Sequence, residues 1–263
     1  MEDTVHGTPP HLHLFVSAHF DDAIGSCGGT IARLRQRQER VRVLTIFGGP
    51  ERQPFSFPAT ILHEEWGLDR PVETRRQEDI EACHRLDCER QVLDVPDAIY
   101  RQDGNGNHLY PTFESIREAP ARADTQHLDA IVTAIDAAGG EDDVLFYFPL
   151  AIGDHVDHVL ARRCGEMLAA RRPAVSYRDF VYDRTWDGRL PAAAGLPVEI
   201  ALNSAEVDRK RVAFAAYRSQ ISDLFVSEAG MDQYFDTIGR TELFVVPEHV
   251  PAAHQAFLRT LAG

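Results

Sequence analysis

Apolar stretches in which hydrophobic residues follow one another without polar alternation recur along the first 150 residues. Four of them predict strands, at residues 13–18, 41–47, 91–95 and 144–148. Most segments between and after these strands carry the apolar periodicity of helices, at residues 28–38, 74–86, 125–138 and 156–171. Strands without alternation that are joined by helices are typical of parallel sheets covered on both faces. The sequence therefore predicts an α/β fold with a mostly parallel sheet and helices on both faces.

The pattern becomes less regular beyond about residue 173. Residues 174–182 and 198–202 are predicted as strands, and residues 204–220 as a helix that Ser204 caps. Three long stretches carry neither pattern, and loops of such length usually bind ligands or cover a site: residues 48–71, 96–124 and 182–197. No internal repeat or low-complexity linker divides the chain, so we predict a single Rossmann-like domain over residues 1–263.

Two clusters of histidine and aspartate follow strands of the predicted sheet. They come after the first and the fourth strand, with the sequences His19-Phe20-Asp21-Asp22 and His155-Val156-Asp157-His158. Right-handed crossovers bring the carboxyl ends of parallel strands to one edge of the sheet, where ligands bind. Imidazole and carboxylate suit a divalent metal such as zinc, and a further carboxylate remains free to act as a base. Each cluster alone also fits an ordinary helix start, but two of them in one chain favour a metal site.

Composition narrows the classes of function. The net charge of −14 argues against binding to nucleic acid or to an anionic membrane, which would need a basic patch. No stretch approaches the ~20 apolar residues of a spanning helix, and the first ten residues lack the apolar core of a signal peptide. The four cysteines indicate free thiols in a reducing cytosol. We therefore predict a cytoplasmic protein, and the sequence leaves a homo-oligomer open.

The two clusters resemble those of the PIG-L/LmbE-type N-acetylglucosaminyl deacetylases, which share an Ala-His-Pro-Asp-Asp-Glu motif and a later His-x-Asp-His motif. In this chain the motifs are Ala18-His19-Phe20-Asp21-Asp22-Ala23 and His155-Val156-Asp157-His158. Weaker matches lie in three helices, at Gly28-Gly29-Thr30, at Arg75 and Glu78, and at Lys210, Ala213, Ser219 and Gln220. The matches span residues 13–220, which is most of the chain.

The resemblance implies a zinc-dependent N-deacetylase that uses His19, Asp22 and His158 as metal ligands, although another divalent metal would suit the same ligands. It further implies that Asp21 is the general base and that His155, once protonated, donates to the oxyanion of amide hydrolysis. The expected substrate is a small N-acyl amino sugar or a related glycosylated metabolite, with acetyl as the expected acyl group.

Two other residues complete the predicted site. Arg75 resembles the family's substrate-contacting arginine, and a guanidinium suits sugar hydroxyls or a phosphate. Asp157 has two interpretations: a carboxylate that holds an imidazole in one tautomer, or an acid that favours the first turn of a helix.

The chain also departs from the family pattern at four positions. Phe20 replaces Pro, a change expected to alter only the stiffness of the turn, and Ala23 replaces Glu, which removes a carboxylate. Tyr217 stands where His is common, and Gly153 supplies no phenol near the predicted oxyanion. Two alternatives stay open: a metal-dependent amidase acting on another amide, such as a thiol conjugate, and a non-enzymatic or nucleotide-binding α/β protein. The second is disfavoured because residues 25–29 lack the Gly-x-Gly-x-x-Gly spacing.

Overall fold

The computed structural model describes residues 11–141, 143–180, 182, 188–190 and 195–262. One seven-stranded sheet, in the order β3-β2-β1-β4-β5-β7-β6, runs through this part of the chain. Its strands are β1 (Leu12–Ser17), β2 (Val41–Thr45), β3 (Glu89–Val92), β4 (Val144–Pro149), β5 (Ala174–Tyr177), β6 (Leu196–Ala201) and β7 (Thr241–Val246).

Strands β1 and β4 are neighbours at the centre of the sheet. Parallel pairing joins β3, β2, β1, β4 and β5, whereas β7 runs antiparallel to both β5 and β6. Phe15 of β1 lies beside Val43 of β2 on one side and beside Tyr147 of β4 on the other. Every residue of β1 and β4 is buried, as expected for strands covered on both faces. The predicted mostly parallel α/β fold is confirmed, and the carboxyl ends of β1 and β4 lie side by side.

Helices cover both faces of this sheet. They are α1 (Asp22–Gln36), α2 (Phe57–Trp66), α3 (Pro71–Leu86), α4 (Arg122–Thr125), α5 (Leu128–Gly139), α6 (Val156–Leu168), α7 (Ser204–Phe214), α8 (Arg218–Phe225), α9 (Glu228–Asp236) and α10 (Ala252–Ala262). Consecutive strand residues enter opposite cores: Phe15 and Tyr147 pack with α1, α3 and α7, whereas Leu14 and Phe146 pack with α5 and α6. Within the described ranges, no helix is both long enough and apolar enough to span a bilayer.

Helix α1 begins at Asp22 and not at the predicted residue 28. Gly28 and Gly29, taken from sequence as the helix start, lie inside the helix. A Cβ atom at Gly28 would stand 2.9 Å from Cγ of Lys210, and one at Gly29 would stand 2.2 Å from Cδ1 of Leu202. The two glycines therefore allow α1 to approach its neighbours closely, and Asp22 becomes the first residue of the helix.

The helix predicted over residues 204–220 is two helices, because α7 ends at Phe214 and α8 begins at Arg218. The N-cap is Asn203 and not Ser204: Asn203 accepts the N–H of Glu206, while the Glu206 side chain accepts the N–H of Asn203.

Helix α2 lies in the stretch 48–71, for which the sequence predicted no element. Its start carries a signal that the prediction overlooked, since the Ser56 side chain accepts the N–H of Ala59 and Pro58 occupies the first turn. Helices α9 and α10 and strand β7 lie beyond the last predicted element.

Candidate active site

The turn after β1 and the loop after β4 meet at the carboxyl edge of the sheet. A short turn connects β1 to α1, and residues 150–155 connect β4 to α6. Nε2 of His19 lies 3.0 Å from Oδ2 of Asp157, and Nε2 of His158 lies 3.2 Å from Oδ2 of Asp22. Two clusters that are distant in sequence therefore form one site.

His19, Asp22 and His158 direct donor atoms toward one point. The three atoms lie within 4.8 Å of one another, and Nδ1 of His19 is 3.2 Å from Oδ2 of Asp22. Nε2 of His158 is buried and, although it lies 3.2 Å from Oδ2 of Asp22, it does not have hydrogen-bond geometry with any residue that the structure describes. A buried polar atom of this kind costs free energy unless another group binds it. Two imidazoles and one carboxylate beside a cavity suit a divalent metal ion with positions left for water and substrate.

A second group, His19, His155 and Asp157, also brings donor atoms within 4.8 Å of one another. Its carboxylate is already engaged, because Oδ1 of Asp157 pairs with the Arg101 guanidinium and Oδ2 accepts the N–H of Ala98 at 3.0 Å. The guanidinium opposes a further cation nearby. This group is therefore the poorer metal site.

Each histidine of the better site contacts a buried carboxylate through its other ring nitrogen. Nε2 of His19 contacts Asp157, and Nδ1 of His158 lies 2.6 Å from Oδ1 of Asp179. Asp157 and Asp179 are 0% and 1% exposed. Contacts of this kind fix the tautomer and orientation of a metal-binding imidazole. Asp157 also lies in the first turn of α6, so both arrangements considered from sequence occur together.

Sequence reasoning missed Asp179 and Arg101. The predicted strand over residues 174–182 would have placed Asp179 inside a strand, but β5 ends at Tyr177 and Asp179 follows its carboxyl end. His19 was identified because it directly follows the carboxyl end of a strand, and Asp179 occupies the same kind of position. Arg101 lies in the stretch 96–124, where no pattern distinguished it from other surface arginines.

The carboxylates and the imidazoles of the cluster stabilise each other in their charged forms. Burial alone would lower the pKa values of His19 and His158, but the surrounding carboxylates raise both well above the ordinary value. Burial alone would raise the pKa of Asp22, but His158 and His19 hold it well below its ordinary value. The negative charge that stabilises protonated imidazoles here would also attract a metal cation.

Asp21 pairs with Arg75, whereas Asp22 pairs with the two histidines. Oδ1 of Asp21 lies 3.0 Å from Nη2 of Arg75, and both side chains line the cavity beside the cluster. Burial raises the pKa of Asp21, and the positive charge of Arg75 opposes that shift. The two adjacent aspartates therefore separate, with Asp22 directed to the histidines and Asp21 to Arg75.

His155 is the N-cap residue of α6, and its Nδ1 atom accepts the N–H of Asp157 at 3.2 Å. A neutral ring bound in this way carries its proton on Nε2. Its centre lies 4.9 Å from that of His19. Burial, and then the charge of His19, lower the pKa of His155 well below its ordinary value. The ring is thus a neutral donor, whereas the sequence analysis expected donation from a protonated ring.

A cavity of about 430 Å³ opens over these residues. Aromatic, aliphatic and polar side chains from α2, α8 and the segment before α4 form its walls: Leu62, Trp66, Phe113, Ile116, Arg117, Gln220, Asp223 and Leu224. The Arg75 guanidinium lies 5.1 Å from the centre of the Trp66 ring, and its buried Nε makes no hydrogen bond in the described part of the chain. Such a wall suits a small molecule that offers both ring faces and hydroxyl groups.

The sequence analysis noted that Gly153 supplies no phenol. The absence of a side chain at Gly153 leaves room for the phenol ring of Tyr182. The φ of Gly153 is +87°, and a Cβ atom there would stand 2.7 Å from Cδ1 of Tyr182. The Tyr182 ring lines the cavity, and its centre lies 5.5 Å from that of His158. A phenol therefore lies beside the site, contributed by a different part of the chain.

Proteins of known activity are similar to this chain. It is 30% identical over 262 residues to the 2'-N-acetylparomamine deacetylase of Niallia circulans, with 93% of this chain and 94% of that protein covered. It is 31% identical over 229 residues to the enzyme of the same name from Streptomyces fradiae, with coverage of 82% and 75%. The zinc-inhibited form of teicoplanin deacetylase Orf2 has a similar structure, with a TM-score of 0.77 and 25% identity over 90% of this chain and 99% of that chain.

The model of one protein family matches residues 14–169, more than half of the chain. The matched region contains β1, the turn with His19 and Asp22, β4 and the start of α6 with His158. The motifs that carried the resemblance are therefore the ones that lie together in the structure. The chain belongs to the PIG-L family of GlcNAc-PI de-N-acetylases.

Proposed function

We propose that this protein is a metal-dependent N-deacetylase that hydrolyses the acetamide of an amino sugar or of a glycosylated small metabolite. The observation that carries the proposal is the arrangement of His19, Asp22 and His158 beside a cavity into which Asp21 also faces. The similarity to acetylparomamine deacetylases supports an N-acetyl amino sugar as the substrate class.

His19, Asp22 and His158 would hold the metal through Nδ1, a carboxylate oxygen and Nε2. When bound, such an ion lowers the pKa of a coordinated water to ~7 and polarises the acetyl carbonyl. We propose zinc, because two imidazoles and one carboxylate are a common catalytic zinc set. Another divalent ion suits the same donors, so the native metal has to be measured.

Asp21 is proposed as the general base that takes the proton of the attacking water. Burial keeps its carboxylate in a region of low dielectric, Arg75 holds one of its oxygens, and the residue lines the cavity. Asp21 is next to Asp22 in the sequence, so its carboxylate lies close to the proposed metal ligands.

His155 is proposed to donate a hydrogen bond from its Nε2–H to the oxyanion that forms on the acetyl group, with the proton staying on the ring. The contact of its Nδ1 with the N–H of Asp157 fixes the required tautomer before substrate arrives. Asp157 is proposed to orient His19, and Arg101 would keep that carboxylate ionised.

Arg75 is proposed to contact the substrate as well as Asp21. Its side chain lines the cavity and is 10% exposed, and the guanidinium fork has more N–H groups than the pairing with Asp21 uses, so one is proposed to contact a sugar hydroxyl. Trp66, which packs on the guanidinium, offers an aromatic face for a sugar ring.

An acetate-release assay tests the proposed function. The purified protein is incubated with N-acetylglucosamine, 2'-N-acetylparomamine and an N-acetyl cysteine conjugate, and acetate is quantified. We expect release from an amino sugar, loss of that release after chelation, and recovery when Zn²⁺ or another divalent ion is added. Full activity in protein shown to be metal-free by mass spectrometry would contradict the proposal.

Replacing Asp179 by Asn is expected to weaken metal binding about 10- to 100-fold, because Nδ1 of His158 loses its carboxylate partner. The measurement is the metal affinity obtained by competition with a chromophoric chelator. Asp154→Asn is a matched control, since Asp154 is exposed on the loop after β4 and its φ of +56° is one that Asn also adopts. Equal affinities for the two variants would remove Asp179 from the site.

We also propose that the enzyme works in the cytoplasm. All four cysteines are free thiols, as expected in a reducing compartment: Cys27, Cys83, Cys88 and Cys164.

A further inference from the structure

The backbone carbonyl of Phe20 is held by a buried tyrosine from a distant part of the chain. Phe20 lies between His19 and Asp21, and its carbonyl oxygen is 2.8 Å from the hydroxyl oxygen of Tyr217. Tyr217 precedes α8 and is fully buried, with 0% exposure. A side chain far along the sequence therefore contacts the turn that connects a proposed metal ligand to the proposed base.

The same hydroxyl has a second partner on α3. Its oxygen lies 2.8 Å from Oδ1 of Asp79, whose other carboxylate oxygen pairs with Arg90. One hydroxyl has one proton, so both short contacts are satisfied together when Asp79 donates to Tyr217 and Tyr217 donates to Phe20. Burial raises the pKa of Asp79 to about 6, and the charge of Arg90 opposes that shift.

The ring of Phe20 is fixed as well as its carbonyl. The guanidinium groups of Arg75 and Arg90 lie 6.0 Å and 5.8 Å from the ring centre. Gly48 packs against the ring edge so closely that a Cβ atom there would stand 2.9 Å from Cζ of Phe20. In the family motif this position is Pro, a residue that restricts the backbone by itself.

We propose that Tyr217 is a positioning residue whose hydroxyl, supported by Asp79, fixes the Phe20 carbonyl and thereby the direction of the Asp21 carboxylate. Tyr217 thus contacts the backbone of the turn at the position where the family motif has proline, and this contact supplies rigidity that proline would otherwise give. The kinetic part of this inference rests on the proposed function.

Tyr217→Phe tests the inference against Tyr177→Phe. Tyr177 is about as buried, and its hydroxyl donates to the carbonyl of Val16 at 2.8 Å, so both variants lose a buried bond of this length to a backbone carbonyl. Tyr217→Phe loses the contact to Asp79 as well, and Asp79→Asn tests that contact separately. In Tyr217→Phe we expect kcat to fall about 10- to 100-fold with an unchanged KM and unchanged metal content, because the base is misplaced. In Tyr177→Phe we expect kcat within about threefold of the wild type. Equal kcat values for the two variants would overturn the proposal.

Hydrogen–deuterium exchange gives a measurement that does not depend on catalysis. The amides of His19, Ala23 and Gly25 donate to acceptors in residues 17–22, so their exchange reports on the turn. We expect exchange in the peptide covering residues 18–25 to become at least about tenfold faster in Tyr217→Phe and to stay unchanged in Tyr177→Phe. If the wild type releases no acetate, the proposed function fails while exchange still decides the role of Tyr217. Wild-type exchange in Tyr217→Phe would refute that role.

Asp79→Asn provides a second variant that keeps the packing. The amide nitrogen of Asn donates to the Tyr217 oxygen, so the hydroxyl proton remains available for Phe20. We expect slow exchange of residues 18–25 and a kcat within about threefold of the wild type. Fast exchange or a large loss of kcat in Asp79→Asn would contradict the proposal, including in the case that Tyr217→Phe does not fold.

Discussion

Asp21→Asn is expected to lower kcat for acetate release by about 10²–10⁴-fold while the metal content stays at the wild-type level. Asn has the shape of Asp but cannot take a proton from water, and the metal donors lie on other side chains. Its carboxamide oxygen still accepts a hydrogen bond from Arg75, so the wall of the cavity is expected to stay in place. The measurements are steady-state kinetics and metal analysis of the same preparation.

Asp223→Asn is the matched control for this variant. Asp223 is exposed on α8 and lines the same cavity, so the change removes one negative charge at a similar place. We expect its kcat to remain within about threefold of the wild type. Unchanged turnover in Asp21→Asn would exclude Asp21 as the base, and loss of metal from that variant would assign it to the metal site instead.

His158→Ala is expected to abolish both metal retention and acetate release. The variant removes the imidazole whose Nε2 is buried 3.2 Å from Oδ2 of Asp22, which leaves only two of the three proposed ligands. It also leaves Asp179 buried without its partner, so thermal stability is measured in parallel. The readouts are the metal that remains after dialysis and the rate of acetate release.

His127→Ala serves as the control for that experiment. His127 is exposed at the start of α5 and lines a different cavity, away from the proposed ligands. We expect this variant to keep its metal and its turnover. A His158→Ala protein that is folded and still retains wild-type metal would exclude His158 as a ligand.

The part of the fold that positions the site could be predicted from sequence because it rests on two strong signals. Unbroken apolar runs identified β1 and β4, and the polar residues directly after each run identified the site. That the two strands are neighbours did not follow from the sequence, since strand order depends on long-range pairing. The rule of right-handed crossovers led us to expect only that the two strand ends share one edge of the sheet, and the parallel pairing of Leu12 with Val144 shows that the strands are neighbours.

The residues that were missed act through tertiary contacts that leave no local pattern. Asp179 was hidden by a strand predicted too long, and Arg101 by a loop without periodicity. Trp66 lies on α2, a helix of 10 residues in the stretch 48–71, where the sequence pattern predicted no element. The change of Pro to Phe20 was expected to affect only the stiffness of the turn, and its contact with Tyr217 becomes visible only when α8 packs against α3.

The central claim is that a single metal ion binds where the two His-Asp clusters meet, and anomalous X-ray diffraction tests it most directly. Crystals of the wild-type protein grown with Zn²⁺ are measured on both sides of the zinc absorption edge. The account predicts one strong anomalous peak within coordination distance of Nδ1 of His19, a carboxylate oxygen of Asp22 and Nε2 of His158. An anomalous peak elsewhere, with none at these three atoms in zinc-replete crystals, would contradict it.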